Sequence, residues 1–178
     1  MANMRTWHAE TVKKAMAAIV GAPPEDVCVL DCRDFHPPSG QPKRVEHVGT
    51  HPDILEQVAE HRKCQEFMNF IAHMLHDAAL DWRKYARRQP RRSVHIVMMC
   101  KSGKHRSVAM AWLLHRALQM GSSYALLEAR PVCWTDLVAA SACTKHGTLC
   151  EMCHWLSKGY WDMSVWLKAI QMWKKANA

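Results

Sequence analysis

No stretch of this 178-residue chain approaches the roughly 20 consecutive apolar residues that cross a bilayer. The opening run MANMRTWHAETVKKAM also lacks an apolar core of signal-peptide length. These absences speak against a helical membrane protein and predict an intracellular chain, in the cytoplasm or nucleus. No internal repeat and no low-complexity segment is present, so neither a repeat array nor an extended linker is encoded. Acidic residues are in short supply: 16 Asp and Glu face 24 Lys and Arg, a net charge of +8. That imbalance favours an anionic partner, such as nucleic acid, a phosphorylated small molecule or a membrane surface, against the alternative of charge dispersed over a basic soluble protein.

What is plentiful is apolar surface. With 49% hydrophobic residues the chain is not a disordered one, and its length suffices for one sizeable core. Its eight cysteines, in a reducing compartment, read as thiols or metal ligands and not as a disulfide framework.

Val12, Ala15, Met16 and Ile19 at helical spacing predict a helix over Ala9–Val20, stopped by Gly21-Ala22-Pro23-Pro24. Val27-Cys28-Val29-Leu30 is a buried strand that delivers Asp31-Cys32-Arg33 to its C-terminal end, and Pro37–Pro42 is loop. From Pro52 to about Arg88 one long amphipathic helix is predicted through Ile54, Val58, Phe67, Ile71, Met74, Leu75 and Ala78. A strand over Val94–Met99, a basic loop and a helix over Ser107–Met120 follow, and Tyr124–Ala129 reads as a further strand. The tail Trp161–Lys175 is helical, with Met163, Trp166, Leu167, Ile170 and Trp173 on one face. This alternation predicts an α/β fold: a mostly parallel sheet with flanking helices and a helical, Cys/His-rich C-terminal extension. Residues 1–135 form the α/β domain, with its core over about 25–135, and 136–178 form the extension, packed on the same domain.

The loop between the second strand and its helix carries the chemistry. Lys101-Ser102-Gly103-Lys104-His105-Arg106-Ser107 is basic, contains a glycine and opens a helix, which is a physical recipe for holding a phosphate. Gly103 lets the backbone approach a ligand without Cβ interference. Arg106 offers a planar fork for two phosphate oxygens, while Lys101 and Lys104 are movable point charges. Ser107 caps the helix or donates to the anion, and His105 donates when protonated. In open α/β sheets ligands sit at the C-terminal ends of strands, so Asp31 and Arg33 line the same cleft.

Here the chain resembles the C-terminal domain of the RapZ family, bacterial small-RNA adaptor proteins. That family's loop has the form Cys-Thr-Gly-Gly-Lys/Gln-His-Arg-Ser-Val after a hydrophobic strand. Cys100, Gly103, Lys104, His105, Arg106, Ser107 and Val108 stand at matching places, with Lys101 and Ser102 replacing Thr-Gly. Asp31-Cys32-Arg33-Asp34-Phe35 resembles the family's Asp-Val/Cys-Arg segment, and Val48-Gly49-Thr50 resembles its Leu-Thr-Gly-Leu-Asp. The resemblance covers roughly residues 25–135. It implies an α/β domain that binds a phosphorylated ligand, such as an aminosugar phosphate, and that contributes to RNA binding and homo-oligomerisation. The family's GxxxxGK[ST] nucleotide loop has no counterpart in this sequence, since Gly21-Ala22-Pro23-Pro24 is no such motif. Nucleotide hydrolysis of that kind is therefore not expected and no nucleotide cofactor is predicted, while a sugar phosphate, a nucleotide or RNA phosphate stays a candidate ligand of the basic loop.

A rival chemistry uses the same residues. Cys100 and Arg106-Ser107 satisfy the cysteine-phosphatase spacing Cys-x2-Gly-x2-Arg-Ser, in which Cys100 would be the nucleophile and Arg106 would hold the phosphate oxygens. Asp31 or Asp34, at the end of the neighbouring strand, is then the candidate general acid, with Asp77 and Asp81 on a predicted helix as weaker candidates. Met99 stands where that signature carries His, and no segment resembles a phosphatase acid loop. Whether the chain is an enzyme stays open at this point.

Three further patterns stand outside the loop. Cys143-x2-His146-x3-Cys150-x2-Cys153 supplies four ligands that suit a structural zinc, against the alternative of reduced thiols in a packed extension. Arg83, Lys84, Arg87, Arg88, Arg91 and Arg92 form a basic run that suits RNA phosphates or a solvated helix end. Trp155, Trp161, Trp166 and Trp173 read as cover for the core or for a neighbouring subunit.

Overall fold

Two short strands, Val27–Asp31 (β1) and His95–Met99 (β2), pair in parallel at the centre of the site region in the computed structural model. The structure describes residues 9–36, 47, 49–85, 94–100, 105–121 and 163–178. Five helices are formed among the described residues: Ala9–Val20 (α1), Pro52–Glu60 (α2), Lys63–Tyr85 (α3), Arg106–Gly121 (α4) and Met163–Ala176 (α5). The α/β class and the parallel pairing follow from the strand sequences. Both are short apolar runs without alternation, the pattern common to parallel strands. The predicted strand Tyr124–Ala129 lies outside the described residues.

The described residues divide into two compact units, one from Met1–Leu30 with Leu75–Val97, the other from Asp31–Met74 with Met98–Ala178. In the first, α1 ends where the sequence places its stop. Gly21 takes φ of +67°, a left-handed value that glycine adopts without strain, and Ala22 N donates to Ala17 O at 3.0 Å. A 3-10 turn over Pro24–Asp26 follows, and Val27 and Leu30 bury as β1 begins.

The second unit holds the larger core. Met110, Leu113, Leu114, Ala117 and Leu118 repeat every three or four residues on α4 and are all buried. The helix packs chiefly on α5 and also on α2. From α5, Val165, Trp166, Ala169, Ile170 and Trp173 bury, while Leu167 is 48% exposed. The predicted apolar face is therefore rotated: Val165 and Ala169 take the place expected for Leu167. Two polar ties fix the docking of α5, Gln65 Nε2 donating to Met172 O at 3.0 Å and Lys168 Nζ pairing with Glu60 Oε1 at 2.6 Å.

The single helix predicted from Pro52 to Arg88 is two helices. His61 leaves the helical region with φ −66° and ψ 131°, ending α2. Its ring packs on Phe35 at 5.1 Å between centroids, and its Nδ1 accepts from Lys63 N at 3.2 Å, capping α3. Another histidine, His51, caps α2 in the same way, with Nδ1 accepting from Asp53 N at 3.2 Å. No Gly or Pro marks the break, so periodicity carries straight through it.

Candidate functional site

The C-terminal ends of β1 and β2 and the first turn of α4 meet in the second unit. Cys32 N donates to Met99 O at 2.7 Å, which carries the parallel ladder one step past the strands. In parallel pairing that bond sets Cys32 directly opposite Cys100. Immediately beyond, Asp31, Arg33, Asp34 and His36 come from the β1 side, and His105, Arg106 and Ser107 from the start of α4. Lys101, Ser102, Gly103 and Lys104 lie outside the described residues.

Arg106 binds the site together. Its Nη1 donates to the Arg33 carbonyl and lies 3.5 Å from His36 Nδ1, so the side chain bridges from α4 to the end of β1. The planar guanidinium presents further donors in a fixed fork. Ser107 is buried at 4% exposure, and its Oγ lies 3.2 Å from Cys100 Sγ. The thiol of Cys100 thus rests against the first turn of α4, at the positive end of the helix dipole.

Asp31 and Arg33 engage each other. Arg33 Nε donates to both carboxylate oxygens at 2.9 and 2.7 Å, Nη2 donates to Oδ2, and Arg33 N donates to Oδ1 at 2.9 Å. Burial pushes the Asp31 carboxyl upward, but the Arg33 hydrogen bonds and charge, with Arg106 adding, hold it below the ordinary carboxylate value. Asp34 is likewise held low by Lys63, whose Nζ donates to Oδ2 at 2.6 Å. Both carboxylates are therefore held toward the ionised form by their cationic partners.

Gly49 explains how the first turn of α4 is held. A Cβ there would fall against the His105 carbonyl oxygen, 2.6 Å from Ala109 N and 2.7 Å from Val108 Cβ. Ala109 N donates to His105 O at 2.8 Å, so the glycine backbone lies on the hydrogen bond that opens the helix. Only a residue without a side chain fits this close approach.

Of the expected ligand-binding residues, the structure brings Asp31, Arg33, His105, Arg106 and Ser107 into one region. Within that region Arg33 and Asp31 pair with each other. Contributions that the sequence analysis missed are His36 beside Arg106, the Lys63–Asp34 pair and the thiol of Cys32 opposite Cys100. Equal strand endings at Asp31 and Met99 were the one sequence signal for that last juxtaposition. Cys143, His146, Cys150 and Cys153 lie outside the described residues. Among the described residues, no group of three or more His, Cys, Asp or Glu side chains is placed to hold a metal ion.

Residues 15–131 match the family model described as the RapZ C-terminal domain. A protein of Deinococcus radiodurans named nucleotide-binding protein is 32% identical over 119 residues, covering 66% of this chain and 41% of the relative. One from Mycobacterium sp. strain KMS with the same name is 30% identical over 123 residues, covering 66% and 39%. A third, from Mycolicibacterium smegmatis, is 33% identical over 101 residues, covering 57% and 33%. The chain thus spans about two fifths of the length of the first two relatives. No solved structure matches it. No helix among the described residues is long and apolar enough to cross a membrane.

Proposed function

The chain belongs to the RapZ C-terminal domain family, and from that premise we propose that it binds a phosphorylated ligand, with the phosphate held at the first turn of α4. The observation that carries this reading is Arg106: a fork anchored on the Arg33 carbonyl, at the ends of both strands, beside a buried Ser107. Backbone N–H groups of that turn and the helix dipole add their attraction for an anion. Lys101 and Lys104 of the preceding loop add positive charge for the same ligand. The names of the relatives favour a nucleotide or another phosphorylated small molecule as the ligand.

Phosphate, an aminosugar phosphate and a nucleoside monophosphate should each be tested for a rise in Tm. Saturation to one hundred times Kd corresponds to about 2.7 kcal/mol of stabilisation. Arg106→Ala should weaken binding by about 1.5–3 kcal/mol, the worth of a charged hydrogen bond. Arg106→Lys should recover only part, because the point charge lacks the fork. Equal Tm shifts in wild type and Arg106→Ala would sink the reading.

Two further parts of the reading are tested separately. The run Arg83–Arg92 engages RNA phosphates, so RNA retention should fall steeply with salt and with neutralisation of that run. Cys143, His146, Cys150 and Cys153 hold a structural zinc, which elemental analysis of the purified protein would detect at one equivalent.

A further inference from the structure

Four of the cysteines lie among the described residues, and Cys28, Cys32, Cys64 and Cys100 are all reduced there. Cys32 and Cys64 are fully buried, and Cys100 is half-buried. The hydrogen bond from Cys32 N to Met99 O puts Cys32 directly across the parallel ladder from Cys100. Residues opposite one another in a sheet project to the same face, and neighbouring strands lie about 4.8 Å apart. That spacing falls within the Cα separation of about 4.4–6.8 Å that a disulfide spans.

From this register we propose that Cys32 and Cys100 form a thiol pair that peroxide closes to a disulfide, switching off the anion site at α4. The regulatory half of this inference rests on the phosphate-binding reading above. Cys100 is the residue that reacts first. It is the more exposed of the two, and its sulfur lies 3.2 Å from Ser107 Oγ at the positive end of α4, where negative charge is favoured. Cys32 cannot lead, since burial and the neighbouring Cys100 and Asp31 charges push its thiol far upward. Cys64 is also held as a thiol by burial, pushed up to about 12.

The chemistry balances in two steps. The Cys100 thiolate attacks one peroxide oxygen, forming an S–O bond as the O–O bond breaks and hydroxide leaves, which gives the sulfenic acid. The Cys32 sulfur then attacks the Cys100 sulfur. The S–S bond forms, the S–O bond breaks, and water departs carrying the Cys32 proton. Two thiols lose two electrons and one peroxide gains them. A small dithiol reverses the sequence by exchange. Closing the bridge draws Cys100 Sγ away from Ser107 Oγ and toward β1, disturbing the turn that Gly49 and Arg106 hold.

The full reduced chain should be treated with one equivalent of hydrogen peroxide, digested under non-reducing conditions and mapped by mass spectrometry. The expected result is a Cys32–Cys100 linked peptide that disappears with dithiothreitol. In Cys32→Ala the link is lost and Cys100 gains oxygen instead. In parallel, the Tm shift given by inorganic phosphate is measured on reduced, oxidised and re-reduced protein. The shift should be present, lost and restored in turn. Oxidation of Cys100 in the wild type without a link to Cys32 overturns the pair. A linked protein with an unchanged phosphate shift overturns the switch. If reduced protein shows no phosphate shift at all, the phosphate-binding reading fails, while peptide mapping still decides the disulfide by itself.

Discussion

At the scale of single residues, Asp31 is the sharpest test of what the site does. As an anion close to Arg106 and bound to Arg33, it competes with an incoming phosphate for both guanidinium groups. Asp31→Asn should therefore strengthen phosphate binding, measured by titration calorimetry or by the Tm shift. A general acid would behave in the opposite way, with aryl-phosphate turnover collapsing in the same variant. The ion pair is a third exposed on each side, so screening limits its effect on stability. Its acid dependence has a definite sign. The folded carboxyl titrates below the ordinary 3.8, so any stability it lends is present above that value and lost as the pH falls through the lower folded one. Asp34 acts in the same direction through Lys63.

At the scale of elements, two junctions govern how the site is presented. Gly49→Ala places a methyl group into the first hydrogen bond of α4. It should destabilise by about 1–3 kcal/mol, the usual cost of overpacking, and should weaken phosphate binding at the same time. Urea unfolding and the phosphate Tm shift report the two effects independently. His61 governs the other junction, between α2 and α3. Burial, aided by the nearby Arg62 and Lys63, holds its ring below the ordinary 6.5, so the fold favours the neutral form that can accept from Lys63 N. Its contribution is complete above 6.5 and is lost as pH falls through the folded value. The urea midpoint should accordingly decline between about pH 7.5 and about pH 5.5, in the range where histidine titrates. His61→Phe keeps a ring against Phe35, removes that part of the slope and loses the cap, a cost of about 1 kcal/mol at neutral pH. An unchanged slope in the variant would assign the pH dependence elsewhere, with His115 the next group held low by burial.

At the scale of the whole molecule, the second unit depends on α5. Trp166 and Trp173 are among its largest fully buried side chains, and they sit on the helix that covers α4. Trp166→Ala should cost about 3–5 kcal/mol as a large core cavity opens. Leu167→Ala, one position along on the exposed side, should stay within about 0.5 kcal/mol of wild type. Denaturant midpoints of the two variants measure which face of α5 is buried. Comparable losses at both positions would mean that Leu167 is covered in solution. The adjacent tryptophan and leucine were indistinguishable by hydrophobicity, and packing against α4 chose between them.

The sequence by itself determined where the two strands and the helices α1, α4 and α5 lie. Helical and strand periodicity are local, so Ala9–Val20 and the strand–loop–helix around Cys100 were readable without a partner. The basic loop and its Arg106-Ser107 ending were likewise legible as a candidate phosphate-binding motif, because charge and residue type need no tertiary context. Contacts between distant segments were decided only by the tertiary structure. Arg106 reaching the Arg33 carbonyl, Gly49 lying on the first turn of α4, His61 breaking a continuous helical pattern against Phe35, and Cys32 facing Cys100 all depend on strand register and helix docking. Neither is written in one window of residues. Both arise when chain segments compete to bury their apolar faces together.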